Sequence, residues 1–163
     1  MNTEEYNTCV SKIGPNLLRF VTSNVRDLDA SKDIVQDAFV VLWKKKEDVE
    51  VAKAKSFLFT TANFKLIDFI RKNKKLSSID GVERAEEKSF AHPMEDKEII
   101  NRSLATLQEN SRRLITLRDL EGYSYEEIGK ITGYSPSKVK VTLFRARKQL
   151  KLAIIKLDAT YGN

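Results

Sequence analysis

The chain has 163 residues, 41% of them apolar and 32% charged, which suits one globular domain or two small ones. Its 29 Lys and Arg against 23 Asp and Glu leave a formal charge of +6, which favours a polyanionic partner, either nucleic acid or an anionic membrane face. Cys9 and His92 are the single cysteine and histidine, which excludes an internal disulfide, a four-cysteine zinc site and a multi-histidine metal site.

The polar, acidic start MNTEEYNTCV lacks the pattern of a signal peptide. No apolar run approaches the roughly 18 residues of a membrane span. A cytoplasmic protein without membrane insertion is expected. Apolar residues recur at three- and four-residue spacing along the chain and nowhere alternate as in a strand, so an all-α protein is predicted.

In chain order, residues 4–25 carry Tyr6, Val10, Ile13, Leu17, Leu18, Val21 and Val25 at helical spacing, with a break or kink expected at Gly14-Pro15. Residues 30–45 form a second helix, with Ile34, Ala38, Val41 and Leu42 inward and Phe39 and Trp43 adjoining. On its other side Asp33, Gln36, Asp37, Val40 and Lys44 form one exposed stripe, read either as a docking face for a partner helix or as a solvated edge. A charged loop is predicted at 46–54, then a third helix at 55–73 with Phe57, Leu58, Ala62, Leu66, Phe69 and Ile70 inward.

Residues 76–95 are polar, weakly periodic and contain Gly81 and Pro93, as in a mobile linker; His92 falls there and is expected to be exposed. Two small helical domains follow from this break, over about 1–75 and 96–163. The second holds helices at 97–107 and 110–121, the latter ended by Gly122. Ser124 with Glu127 fits a capping box opening a short helix, 125–132. Gly133 ends it, and Ser135-Pro136 reads as a cap with proline at the first position of a last helix, 136–157.

Two short helices joined by a glycine-containing turn form the helix-turn-helix pattern, whose second helix enters a DNA major groove. From Ile128 to Leu157 no acidic residue occurs, while Lys130, Lys138, Lys140, Arg145, Arg147, Lys148, Lys151 and Lys156 do. A solvated basic face would explain the charge, but not the charge together with two caps and the turn. A second basic cluster, Arg71, Lys72, Lys74 and Lys75 with Lys65 upstream, follows Phe57, Phe59, Phe64 and Phe69. Charge beside aromatic rings suits single-stranded nucleic acid; the competing reading makes most of these phenylalanines core. Cys9 on the apolar-periodic first helix is read as a buried thiol.

Three stretches carry a family resemblance. DIVQDAFVVLW at 33–43 resembles sigma factor region 2.2, SFLFTTANFKLIDFIRKNKK at 56–75 resembles regions 2.3 and 2.4, and LRDLEGYSYEEIGKITGYSPSKVKVTLFRARKQL at 117–150 resembles region 4. Their order and separation are similar to those of the extracytoplasmic-function (ECF) group of the sigma-70 family, whose members consist of these two regions. The resemblance implies a factor that binds core RNA polymerase and recognises and melts promoter DNA.

In that frame Asp33, Gln36, Asp37 and Val40, with Leu42 and Trp43 buttressing, would grip the clamp helices of the polymerase beta-prime subunit, and the region 4 half would meet the beta flap. Asn63 matches the base-contacting asparagine. With Lys65, Arg71, Lys72, Lys74 and Lys75 it would meet the minus-ten element, where a flipped base is held against the loop at about 46–54. Ser137, Lys138, Lys140, Val141, Phe144, Arg145, Arg147 and Lys148 would contact the minus-thirty-five element. An anti-sigma factor is an expected further partner.

The chain departs from the pattern at several points. Phe57 stands for Trp, and Thr61 for Ile. Gly129 stands for Ala, at about 1 kcal/mol of helix propensity. Ser137-Lys138 stands for Gly-Thr and Val141-Thr142 for Ser-Arg, so an atypical promoter sequence is expected. The competing functions are a free-standing helix-turn-helix regulator, which leaves the first domain without a purpose, a degenerate sigma-like protein that only binds partners, and an enzyme. For the last the sequence offers no catalytic set, cofactor loop or metal ligand cluster.

Overall fold

The computed structural model describes residues 1–80 and 94–162, with side chains at 1–76 and 94–162. No strand occurs among the described residues. Asn2 caps the first helix, α1 (Thr3–Val25): its side chain accepts from the Glu5 amide, and the Glu5 carboxylate accepts from the Asn2 amide. α1 runs unbroken through Gly14-Pro15, against expectation. Proline removes one amide donor. The carbonyl it orphans belongs to Ser11, and both residues lie on the exposed side, where water can replace the bond.

α1 ends at Arg26 in the left-handed conformation (φ 59°), its amide donating to the Thr22 carbonyl at 2.9 Å. Asp27 then caps α2 (Leu28–Lys44) by accepting from the Ala30 amide at 3.0 Å. α3 (Val51–Asp80) is longer than predicted at both ends. The run VAKA carries no helix breaker and buries Ala54, so it winds on as the first turn, and the loop shrinks to 45–50. At the far end α3 takes residues 76–80 from the predicted linker. The rest of that segment, including Gly81, His92 and Pro93, lies outside the described residues. Leu17, Phe20, Val21, Ile34, Ala38, Leu42, Leu58, Ala62 and Leu66 form the core of this three-helix half.

The second half comprises α4 (Asp96–Ala105), α5 (Glu109–Ile115), α6 (Tyr125–Thr132) and α7 (Pro136–Tyr161). α5 does not continue regularly to 121: Thr116–Leu120 is a π-helical turn. Ile99, Leu104, Leu114, Ile128, Ile131, Val139, Leu143 and Ala146 are buried here. The halves meet. Leu114, Leu117, Tyr123 and Ile128 join the same apolar cluster as the α1–α3 core. No helix among the described residues is long and apolar enough to cross a membrane.

Candidate functional site

On α2, Asp33, Gln36, Asp37 and Val40 are exposed along one face, and Trp43 stands at its edge. Val40 and Trp43 keep 44% and 42% of their surface in solvent, more than an amphipathic helix leaves without reason. Trp43 is held from both sides, by the edge of the Tyr6 ring at 4.9 Å and by the Lys46 ammonium 3.7 Å from its ring centre. Tyr6 is anchored by donating to the Phe39 carbonyl at 2.9 Å. Leu42 is fully buried. It can support the face from below but cannot touch a partner, because the period of 3.6 turns position 42 toward α1 and α3.

On α3, Arg71, Lys72, Lys74 and Lys75 are exposed and Lys65 is half-buried. Lys72 pairs with Asp68 at 3.1 Å and Lys74 with Glu109 at 2.7 Å. Of the four phenylalanines only Phe64 offers an open face, at 60% exposure; Phe59 is fully buried and Phe57 and Phe69 are half-buried. Asn63 is 1% exposed, and its Oδ1 has no hydrogen-bond partner. An unpaired buried amide oxygen is costly and calls for another reason to be there. Lys45, Asp48 and Val49 of the loop, Ser56, Phe57 and Thr60 of α3, and Lys130 and Ile131 of α6 line one open groove.

The helix-turn-helix is built as its punctuation predicts. Ser124 Oγ accepts from the Glu127 amide and the Glu127 carboxylate accepts from the Ser124 amide, both at 3.1 Å. Those bonds hold the Glu127 carboxyl below the ordinary carboxylate range. Gly133 takes the left-handed conformation (φ 77°) that ends α6, and Ser135 Oγ caps α7 through the Lys138 amide at 3.2 Å. Gly129, unusual in its motif, has a local cause: a Cβ there would lie 3.2 Å from the Tyr134 carbonyl oxygen.

α7 turns Val139, Leu143 and Ala146 inward. It leaves Ser137, Lys138, Lys140, Val141, Phe144, Arg145, Arg147 and Lys148 exposed, Phe144 at 72%. Lys138 lies over the Tyr134 ring at 3.8 Å. Arg147 donates to Asp119 at 3.0 Å, and this bond pushes its guanidinium further up. A groove-sized helix end with cations and a bare aromatic ring can take phosphates and base edges together.

The sequence reading missed the contacts between the halves. Arg19 of α1 donates to both oxygens of Glu121, at 2.8 and 3.0 Å, and to the Leu120 carbonyl at 2.9 Å. The Asn24 side-chain Nδ2 donates to Thr116 Oγ1 at 3.1 Å. The Phe59 and Tyr123 rings meet at 5.2 Å and 68°, with Lys55 5.1 Å from the Tyr123 ring centre. Burial, with Glu121 and Glu127 nearby, pushes the Tyr123 phenol up. One signal was present: Phe57-Leu58-Phe59 places three apolar residues in succession, a wider stripe than a helix with one buried face needs. Cys9 is buried, and burial together with Glu5 raises its thiol pKa.

Residues 9–76 match the family described as Sigma-70 region 2, and residues 97–150 match Sigma-70, region 4. The ECF RNA polymerase sigma factor SigM of Bacillus subtilis is 30% identical over 141 residues, 83% of this chain and 86% of that protein. RNA polymerase sigma factor SigV of the same organism is 30% identical over 153 residues, 93% and 92% of the two chains. Among solved structures, the sigma factor RpoE of Bartonella quintana, in complex with the anti-sigma factor NepR, superposes with a TM-score of 0.78 at 26% identity, covering 96% of this chain and 99% of that one. CnrH, in complex with the cytosolic domain of CnrY, shares the fold, with a TM-score of 0.70 at 22% identity over 95% and 90% of the chains.

Proposed function

Because the chain belongs to the ECF group of sigma-70 RNA polymerase sigma factors, and so acts in transcription initiation, we propose that it divides that task among three surfaces. The α2 stripe of Asp33, Gln36, Asp37 and Val40, edged by Trp43, docks core polymerase on the beta-prime clamp helices. The observation that carries this reading is the pairing of exposed Val40 and Trp43 with two carboxylates on one helix face. An apolar centre rimmed by charge is the anatomy of a protein interface.

α3 meets the single strand of the minus-ten element through Asn63, Lys65 and the Arg71–Lys75 cluster, and the groove beside the 45–50 loop accepts an extruded base. α7 enters the major groove of the minus-thirty-five element with Ser137, Lys138, Lys140, Val141, Phe144 and Arg145 toward the bases, and Arg147 and Lys148 toward phosphates. The second half also contacts the beta flap. The domains divide as 1–75 and 96–163, and the protein works in the cytoplasm, where polymerase is. We assign it no catalytic role.

An anti-sigma factor is a further partner. The superposition on RpoE bound to its anti-sigma factor supports this. Affinity purification from uninduced native cells should recover a stoichiometric non-polymerase protein; repeated recovery of polymerase subunits alone would refute it.

The polymerase reading is tested by mixing the protein with sigma-free bacterial core and separating by size. Wild type should co-elute and Asp37→Arg, with unchanged circular dichroism, should not. Co-elution of both, or of neither with a core that accepts another sigma factor, would overturn it. A free-standing operator-binding regulator is not favoured, since it leaves the region 2 half unused.

A further inference from the structure

Tyr134 stands in the turn of the helix-turn-helix, one residue before the cap of α7, and is fixed from three directions. Its amide donates to Thr132 Oγ1 at 3.2 Å. Its carbonyl oxygen lies 3.2 Å from where a Cβ on Gly129 would be, so glycine lets the turn close onto α6 without displacement. Its hydroxyl reaches back to α5, donating to Asn110 Oδ1 at 3.1 Å and accepting from Arg113 Nη2 at 3.2 Å.

Arg113 is an unusual partner. It is 4% exposed, its Nη2 also donates to Asn110 Oδ1 at 2.6 Å, and its Nε has no partner. Among the described residues no carboxylate pairs with it. A buried guanidinium answered only by an amide and a phenol costs a desolvation that an apolar side chain avoids. Its use therefore lies in what it holds rather than in stability.

The face of the Tyr134 ring carries the Lys138 ammonium, 3.8 Å from the ring centre. Lys138 is exposed in the first turn of α7, the end of a recognition helix that meets base edges. A lysine is a point charge on a flexible four-carbon stem, and a free one settles on any phosphate. Resting on the ring, Lys138 gives up that freedom before DNA arrives, while the N–H groups on its open side stay available. A group with donors alone reads acceptors, and guanine offers two in the major groove, O6 and N7.

We infer that Asn110, Arg113 and Tyr134 form a positioning network that aims Lys138 at a guanine of the minus-thirty-five element. Gly129 and Lys138, two positions at which the chain departs from its family's motif, are then parts of one device: the glycine seats the tyrosine, and the tyrosine aims the lysine. Arg113 and Tyr134 act through Lys138 and are positioning residues. The inference rests on the proposed role of α7.

The test uses holoenzyme assembled from the full chain and bacterial core polymerase. It is offered a pool of random-sequence duplexes long enough to span both promoter elements, and the bound fraction is sequenced. Wild type is compared with Lys138→Ala, which identifies the base pair that Lys138 reads, and with Tyr134→Leu and Arg113→Met. Circular dichroism verifies that each variant folds.

Wild type should select guanine at one position of the minus-thirty-five element by about five-fold or more. Lys138→Ala should flatten that position alone. Tyr134→Leu and Arg113→Met should weaken the same position and leave its neighbours as they are, a pattern that a merely structural role does not produce. If the guanine preference survives in both, the network is refuted while the reading of α7 stands. Loss of every position together in a folded variant would equally refute it, as general damage to the domain. A Lys138→Ala selection identical to that of wild type would instead sink the base-reading role of Lys138, and the network with it. Should Tyr134→Leu fail to fold, Tyr134→Phe, which keeps the ring and severs the hydroxyl's bonds, serves with the same outcomes.

Discussion

Arg19 grips Glu121 across 102 positions of sequence, its Nη2 lying 2.8 Å from one carboxylate oxygen and 3.0 Å from the other. The first residue is on the opening helix, the second just past a π-helical turn in the far half, and their bond joins the two halves beside the apolar seam where Phe59 meets Tyr123. Removing the cation strands a buried carboxylate. Arg19→Ala should therefore lower stability by about 1–2 kcal/mol, less than a fully buried pair would lose, because Arg19 is half in water. Urea unfolding followed by circular dichroism measures this; a midpoint equal to wild type would show the pair to be ornamental.

Asn63 should trade stability for function. Its Oδ1 is buried without a partner, and exchanging such a group for an apolar one of similar size removes a desolvation penalty. Asn63→Leu is expected to raise stability by about 1 kcal/mol while abolishing open-complex formation. A melting curve and permanganate footprinting at a cognate promoter read the two effects separately. A destabilised Asn63→Leu protein would mean that the amide is structural.

Asp119 restrains Arg147 at 3.0 Å. Asp119→Asn should release the guanidinium to phosphates, tightening low-salt binding to duplex DNA and steepening the plot of log affinity against log salt by about 0.9 for one added phosphate contact. Arg145→Ala should flatten it by a similar amount. A slope insensitive to both would remove α7 from the phosphate backbone.

The cap on α6 predicts a pH dependence of definite sign. Glu127 is held below its ordinary pKa by bonds to Ser124, so its folded form prefers the carboxylate. The stability this contributes is present above the unfolded carboxyl pKa, near 4.3, and fades as pH falls through the lower folded value. Ser124→Ala should cost about 1 kcal/mol at neutral pH. The gap from wild type should narrow on acidification below the unfolded pKa, which thermal melts at several pH values would reveal. A gap that widens there would refute the assignment.

Much of this protein is written in local signals. The Ser124–Glu127 box, the left-handed Gly133 and the Ser135-Pro136 start each act within one helical turn, so the residues specify them without help from the rest of the fold. Periodicity likewise placed Asp33, Gln36 and Asp37 outside and Ile34 and Ala38 inside, because a helix distributes neighbours by its own geometry. It placed Leu42 inside as well, where the residue is fully buried and can only support the α2 face, the buttressing role that the family motif implies.

Other features lie beyond local reach. Gly14-Pro15 does not break α1, because water and packing on two neighbouring helices offset one lost hydrogen bond, a balance no dipeptide encodes. The predicted loop and linker both gave ground to α3, because a charged or polar composition does not by itself stop a helix. The π-helical turn arises where α5 must offer Thr116 and Leu120 to α1. The sequence by itself determined the helices, their caps, the charge of each face and the family. Only the tertiary structure decided that Phe59 and Asn63 are covered and that Arg19 reaches Glu121. Side chains from distant segments meet there, and the free energy of that meeting belongs to the pair and the space around it, not to either residue's neighbours in the chain.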